Sequence, residues 1–206
     1  MKPFCVALTG GIGVGKSTTA KMFEAKGAQV VNVDQVGHSI LGAGRKEYRQ
    51  IVDLFGETVL NPEKDIDRSA LGRIVFESPN KLIELEEITH PAINRELRKV
   101  MTQTMAKIVI LDMAILVEKP LAQLSGVPLY RKVIVVKCST DIRIQRLLAR
   151  GMTREEIMSR IESQASDEER DNVADLKIDN SSSLNNLQQS VDRAWEAVVS
   201  WAEQVI

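Results

Sequence analysis

Gly10-Gly11-Ile12-Gly13-Val14-Gly15-Lys16-Ser17, with Thr18 behind it, fits G-x-x-x-x-G-K-[ST] at every position. Just upstream, Phe4 to Thr9 is a short, nearly continuous apolar run of the kind that forms a strand covered on both faces. Downstream, Lys16 to Lys26 reads as a helix with Ala20, Met22, Phe23 and Ala25 available for packing, and Gly27 is placed to end it. Gln29 to Val33 is a second apolar run. Strand, glycine loop, helix and strand make a βαβ unit, with a right-handed crossover and parallel strands expected. The glycines let the backbone turn tightly and aim successive N–H groups at phosphate oxygens. The helix that opens at the loop adds the positive end of its dipole. In this arrangement Gly11, Ile12, Gly13, Val14, Gly15, Lys16, Ser17 and Thr18 are expected to hold the phosphates of ATP. Lys16 reaches the β- and γ-phosphates, and Ser17 is the expected Mg²⁺ ligand.

The rest of the chain supplies the remaining layers. From about Ser39 to Lys107 no buried strand is evident, and several helical stretches are. Asp67 to Phe76 carries Ala70, Leu71, Ile74 and Val75 at helical spacing, and Ser78-Pro79-Asn80 opens another helix with proline in its first turn. His90-Pro91 is expected to break that helix, because the residue before proline resists helical dihedrals. Strand signals return at Ile108 to Met113, Lys132 to Lys137 and Leu176 to Ile178. Helices are expected at Thr140 to Arg150 and from Leu184 onward. The pattern predicts a three-layer α/β fold with a parallel sheet, of the P-loop NTPase type and nucleoside-monophosphate-kinase-like. Its core is read as 1–38, 108–150 and 172–206, a helical insertion as 39–107, to which the family resemblance given below assigns acceptor binding, and a flap as 151–171.

Composition narrows the function classes. The 206 residues carry 27 basic and 28 acidic side chains, a net charge of −1, with no general attraction to nucleic acid or anionic membrane. Hydrophobic residues at 44% suit a chain that buries a full core without disulfides. Cys5 and Cys138 lie in apolar runs and read as small buried hydrophobes of a reducing compartment. No run approaches a membrane span and no signal peptide is evident, so a cytoplasmic protein is expected.

Two classes compete for a phosphate loop in this setting: a small-molecule kinase and a nucleotide-dependent switch. Asp34-Gln35-Val36-Gly37 imitates the D-x-x-G of a GTPase, but it follows Ser17 by only 17 residues and no N-K-x-D occurs. Asp34 ends the strand after the phosphate-loop helix, where strand C-termini surround a ligand crevice. A carboxylate there can take the proton of an acceptor hydroxyl, or it can cap the segment that begins near Gln35. Asp112 closes the Ile108 to Leu111 run, as a water-linked Mg²⁺ ligand or as a polar strand end. Arg143, Arg146 and Arg150 are spaced by three and four, so they share a helical face suited to transferring phosphates or simply to solvent.

The chain also resembles the dephospho-coenzyme A kinase family. The resemblance runs through Ala7-Leu8-Thr9-Gly10-Gly11-Ile12-Gly13-Val14-Gly15-Lys16-Ser17, Asp34, Arg68 with Leu71-Gly72-Arg73-Ile74-Val75-Phe76, and Ile88-Thr89-His90-Pro91-Ala92-Ile93. It continues through Leu116-Val117-Glu118, Gln145-Arg146-Leu147 with Arg150, Arg160-Ile161 and Gln164, and Ala174-Asp175 with Ile178-Asp179-Asn180. It implies transfer of the ATP γ-phosphoryl group to the ribose 3′-hydroxyl of dephospho-coenzyme A, the last step of coenzyme A biosynthesis. It also implies Asp34, Lys16 and Arg146 as catalytic residues, with Arg143, Arg150 and Asn180 on the nucleotide. Arg68, Leu71, His90, Leu116 and Glu118 join Asp34 on the acceptor side. ATP, Mg²⁺ and dephospho-coenzyme A are the implied partners of a monomer or weak homo-oligomer. Three departures stand out: Asn32-Val33-Asp34 for the family's Asp-x-Asp, Ala114 for a proline, and a flap start at Arg150-Gly151-Met152-Thr153 that is shorter by one residue. The alternatives are a kinase of another nucleotide or small metabolite, and a nucleotide-gated binding module.

Overall fold

The computed structural model describes residues 2–119, 121–124 and 126–204; the outermost positions assigned to the core from sequence, 1, 205 and 206, lie outside them. The chain forms two compact units, one of residues 1–32 and 101–206 and the other of residues 33–100.

The first unit is built on five parallel strands: β1 (Phe4–Thr9), β2 (Gln29–Asn32), β3 (Ile108–Asp112), β6 (Lys132–Lys137) and β7 (Leu176–Asp179), in the order β2-β3-β1-β6-β7. Alternate residues of β1 enter opposite faces, and the strand is buried throughout, which explains why it reads as a continuous apolar run. On one face Val6 and Leu8 join Phe23 of α1 (Lys16–Ala25) and Leu187, Val191, Ala194 and Val198 of α9 (Leu184–Glu203) in a single cluster. Those four α9 residues recur at helical spacing, and each fully buried leucine or valine contributes roughly 1.5–3 kcal/mol. Helix α1 ends in a Schellman motif: the Gly27 N–H donates to Glu24 and the Ala28 N–H to Phe23. Burial pushes the Cys5 thiol up to about 12, which fits the expected inert hydrophobe.

Two short strands, β4 (Gln123–Leu124) and β5 (Val127–Pro128), pair as an antiparallel hairpin that the apolar pattern did not announce. Three further helices complete this unit: α6 (Thr140–Leu148), α7 (Arg154–Glu162) and α8 (Asp167–Val173). Helix α6 stops at Leu148, so Arg150 lies past its end and does not share a helical face with Arg143 and Arg146 as expected. Capping boxes at Thr153 with Glu156 and at Ser166 with Glu169 fix where α7 and α8 begin.

The second unit is helical: α2 (Val33–Ser39), α3 (Lys46–Phe55), a 3₁₀ turn (Glu57–Val59), α4 (Arg68–Phe76) and α5 (Pro79–Gln103), which continues into the first unit. Ile51, Val59, Leu71 and Val75 form its core, with Leu82, Leu85 and Ile88 of α5 packed on them. Asp67 caps α4 by accepting from the Ser69 and Ala70 N–H groups. The expected break at His90-Pro91 is corrected here, since Pro91 lies inside a 25-residue helix. Proline removes the N–H that would meet the Glu87 carbonyl, a cost of about 3 kcal/mol. Apolar residues on both sides of it, Leu85 and Ile88 before and the buried Ala92, Ile93 and Leu97 after, outweigh that cost.

Candidate active site

The phosphate loop runs from the C-terminal end of the central strand β1 into α1. Gly15 sits in the left-handed region at φ 91°, and α1 opens without a side-chain cap. The N–H groups of Gly13, Gly15, Lys16 and Ser17 meet no acceptor among the described residues. Uncapped donors at the positive end of a helix are a ready anion site. Lys16 Nζ makes an ion pair with Asp112, which is 4% exposed at the end of β3. In register, Asp112 stands beside Leu8 of β1 and Asn32 of β2. Ser17 is exposed at the first turn of α1. Its hydroxyl and the Asp112 carboxylate are oxygen donors of the kind that magnesium takes together with nucleotide phosphates.

Four side chains from the C-terminal third hold the loop's backbone. Arg143 Nε donates to the Ile12 carbonyl at 2.9 Å, and Gln164 Oε1 accepts the Ile12 N–H at 2.8 Å. Asn180 Nδ2 donates to the Val14 carbonyl at 2.7 Å, and Arg146 Nη1 reaches the same oxygen at 3.4 Å. Arg146 Nη2 in turn donates to the Asn180 carbonyl at 3.0 Å. These groups press close on the glycines: a Cβ on Gly11 would stand 2.6 Å from Arg143 Nη2, and one on Gly15, which also has a left-handed φ of 91°, would collide with Asn180 Nδ2. Sequence analysis placed Arg143, Arg150 and Asn180 on the nucleotide and Arg146 in catalysis; in the structure Arg143, Arg146 and Asn180 contact the phosphate loop itself. Arg150 is exposed.

A second cluster lies behind the loop. Arg170, only 2% exposed, donates to Glu118 Oε1 at 2.9 Å and to the Ala165 carbonyl, while the Ala165 N–H donates to the same Glu118 oxygen at 2.8 Å. Asp167 lies 3.5 Å from Arg143 and 3.9 Å from Arg170 and so links the two groups. Glu118, expected on the acceptor side, makes its contacts with the α7–α8 junction. Leu116 is buried two residues earlier. Gln164 appeared in the sequence reading only as part of the family resemblance. Nothing local marks its role, because its partner lies 152 residues away.

In the second unit, Asp34 lies in the first turn of α2 rather than at the end of β2, two residues after Asn32. His38, one turn further on, has its Nδ1 3.5 Å from Arg68 Nη1. A guanidinium can only donate, so this contact requires the His38 tautomer that accepts at Nδ1. Burial and the Arg68 charge hold His38 below its ordinary value, opposed by Asp34. Leu71 belongs to the helical core, and His90 is half-buried in α5.

Comparison with known proteins gives the same direction throughout. The family model for dephospho-CoA kinases matches residues 4–186. A dephospho-CoA kinase of Thermobifida fusca is 40% identical over 193 residues, covering 93% of this chain and 94% of that protein. Among solved structures, a crystal structure from Thermus thermophilus superposes with a TM-score of 0.81 at 30% identity, covering 97% of this chain and 98% of that one. A dephospho-CoA kinase from Campylobacter jejuni aligns at a TM-score of 0.59 and 27% identity, covering 94% and 96% of the two chains.

Proposed function

This chain belongs to the dephospho-CoA kinase family, and from that membership we propose that it transfers the γ-phosphoryl group of ATP to the ribose 3′-hydroxyl of dephospho-coenzyme A. The observation that carries the reading is the phosphate loop. It has four N–H groups without an acceptor among the described residues and a lysine on a carboxylate, at the end of the central strand of a chain matched to this family over most of its length.

Phosphoryl transfer asks the protein mainly for position and charge. The Gly13, Gly15, Lys16 and Ser17 amides cradle the phosphates. Lys16 leaves Asp112 for the β- and γ-phosphate oxygens as the nucleotide enters. Ser17 and Asp112 would hold magnesium, which would supply neutralisation of phosphate charge when bound with ATP. Asp34 accepts the proton of the attacking hydroxyl, a role suited to a carboxylate and supported by its place just beyond β2. Arg68 and His90 serve the acceptor, and the α7 to α8 segment serves as the flap that excludes water. Among the described residues no helix is long and apolar enough to cross a membrane, and we place the enzyme in the cytoplasm as a monomer or weak homo-oligomer.

The test is ADP release with Mg-ATP and dephospho-coenzyme A, adenosine, nucleoside monophosphates or no acceptor. Turnover confined to dephospho-coenzyme A is the expected result. Turnover only with another acceptor overturns the substrate, and acceptor-independent hydrolysis overturns the kinase.

A further inference from the structure

We propose that Gln164 and Arg143 are positioning residues for phosphate binding, which together hold Ile12 so that the next amide of the loop faces the nucleotide. The argument starts from peptide geometry. The described chain has no cis peptide bond, and in a trans peptide the C=O and the following N–H point in opposite directions. Arg143 Nε draws the Ile12 carbonyl toward itself at 2.9 Å, which turns the Gly13 N–H the other way. Asn180 does the same to the Val14 carbonyl at 2.7 Å, and so turns the Gly15 N–H. Two carbonyls that would repel an anion are thus occupied by donors. The two amides that follow them have no acceptor among the described residues.

One amide would still be misdirected without a partner. The Ile12 N–H, pointing away from Gly13, is taken by Gln164 Oε1 at 2.8 Å. The peptide units on both sides of Ile12 are therefore each fixed by one side chain. Gln164 reaches the loop from the turn between α7 and α8, and that turn is pinned by Glu118 and Arg170 through Ala165. Asp167 ties the Arg170 group back to Arg143. The segment that sequence suggests as a flap is thus joined at its C-terminal end to the loop it serves. The inference rests on the phosphate-loop reading and not on the identity of the acceptor.

Two measurements test it. In the nucleotide-free wild-type enzyme, amide exchange followed by NMR should find the Ile12 N–H protected and the Gly13 N–H unprotected, with Gly13 becoming protected when Mg-ADP is added. The opposite pattern overturns the proposal whether or not any variant folds. Gln164→Met keeps length and removes the acceptor. It should weaken Mg-ADP binding by calorimetry and raise the ATP KM about tenfold, the scale of one lost hydrogen bond, with kcat and the dephospho-coenzyme A KM within about threefold. Gln164→Glu, which restores an acceptor oxygen, should restore Ile12 protection. An unchanged ATP KM, or a fall in kcat with nucleotide affinity intact, overturns the positioning role. A wild-type enzyme that binds Mg-ADP but does not phosphorylate dephospho-coenzyme A would remove the acceptor assigned above and leave this inference standing.

Discussion

Replacing Gly15 with alanine tests how the loop is built, and its cost can be worked from two observations. Gly15 has φ 91° and ψ 23°, a left-handed conformation that costs an L-residue roughly 1–2 kcal/mol. The new methyl would also occupy the place of Asn180 Nδ2. Asn180 is buried, so displacing it breaks its 2.7 Å bond to Val14 and leaves that carbonyl only the 3.4 Å contact from Arg146, a further loss of about 1–3 kcal/mol. Together the terms come to about 2–5 kcal/mol, and at about 2–4 °C per kcal/mol for a chain of this size the melting temperature should fall by about 4–20 °C. Circular dichroism melts of wild type, Gly15→Ala, Asn180→Ala and the double variant form the assay. Because alanine at 180 removes the collision, the double variant should be more stable than the sum of the singles by at least about 1 kcal/mol. Additive singles, or a Gly15→Ala melt within about 2 °C of wild type, would refute the reasoning.

Other substitutions address the chemistry and the helical unit. Lys16→Met should abolish turnover, and because it strands the buried Asp112 carboxylate it should also lower stability by about 3 kcal/mol or more; phosphate transfer at the wild-type rate would remove Lys16 from the site. Asp34→Asn should cut kcat by about 10² or more with ATP affinity retained, whereas weaker ATP binding with kcat retained would make Asp34 structural. Pro91→Ala restores a donor to the Glu87 carbonyl inside α5 and should raise the melting temperature by a few degrees; a lower one would mean that the ring itself packs favourably. Burial holds the half-buried His90 below its ordinary value of 6.5. The unfolded chain therefore takes up this proton more readily, so the stability tied to His90 is full above about 6.5 and is lost as pH falls below that value toward the lower folded-state one. Denaturant melts between about pH 8 and about pH 5 should show a smaller acid loss for His90→Gln than for wild type.

Much of this was legible in the chain. Fully buried strands announce themselves as apolar runs, and β1, β3 and β6 lie where Phe4, Ile108 and Lys132 open such runs. The phosphate loop was legible because its glycines are demanded by local geometry. Helix α5 was not, because Pro91 is a strong local signal that loses to packing contributed by Ile51, Leu71 and Val75 from elsewhere in the sequence. Helix α3 was missed as a separate element for a related reason: its anchor, Ile51, reports burial only once α4 and α5 are in place. The arginines were noticed as charges, but their partners were not. Whether Arg143 faces a phosphate or a carbonyl depends on where residues 131 positions apart meet, and helical spacing cannot supply that.

The clamps on Ile12 and Val14 also bear on the order in which the enzyme acquires its activity. The glycine loop leaves the ribosome well before the side chains that shape it, which belong to residues 143–180. Its strand β1 lies between β3 and β6, which are made much later. Contacts of such long sequence separation form late in folding. A nascent chain that has emerged only as far as β6 carries the whole nucleotide motif without any of the side chains that clamp it. The loop's clamped form is therefore complete only when residues 143–180 have joined the fold.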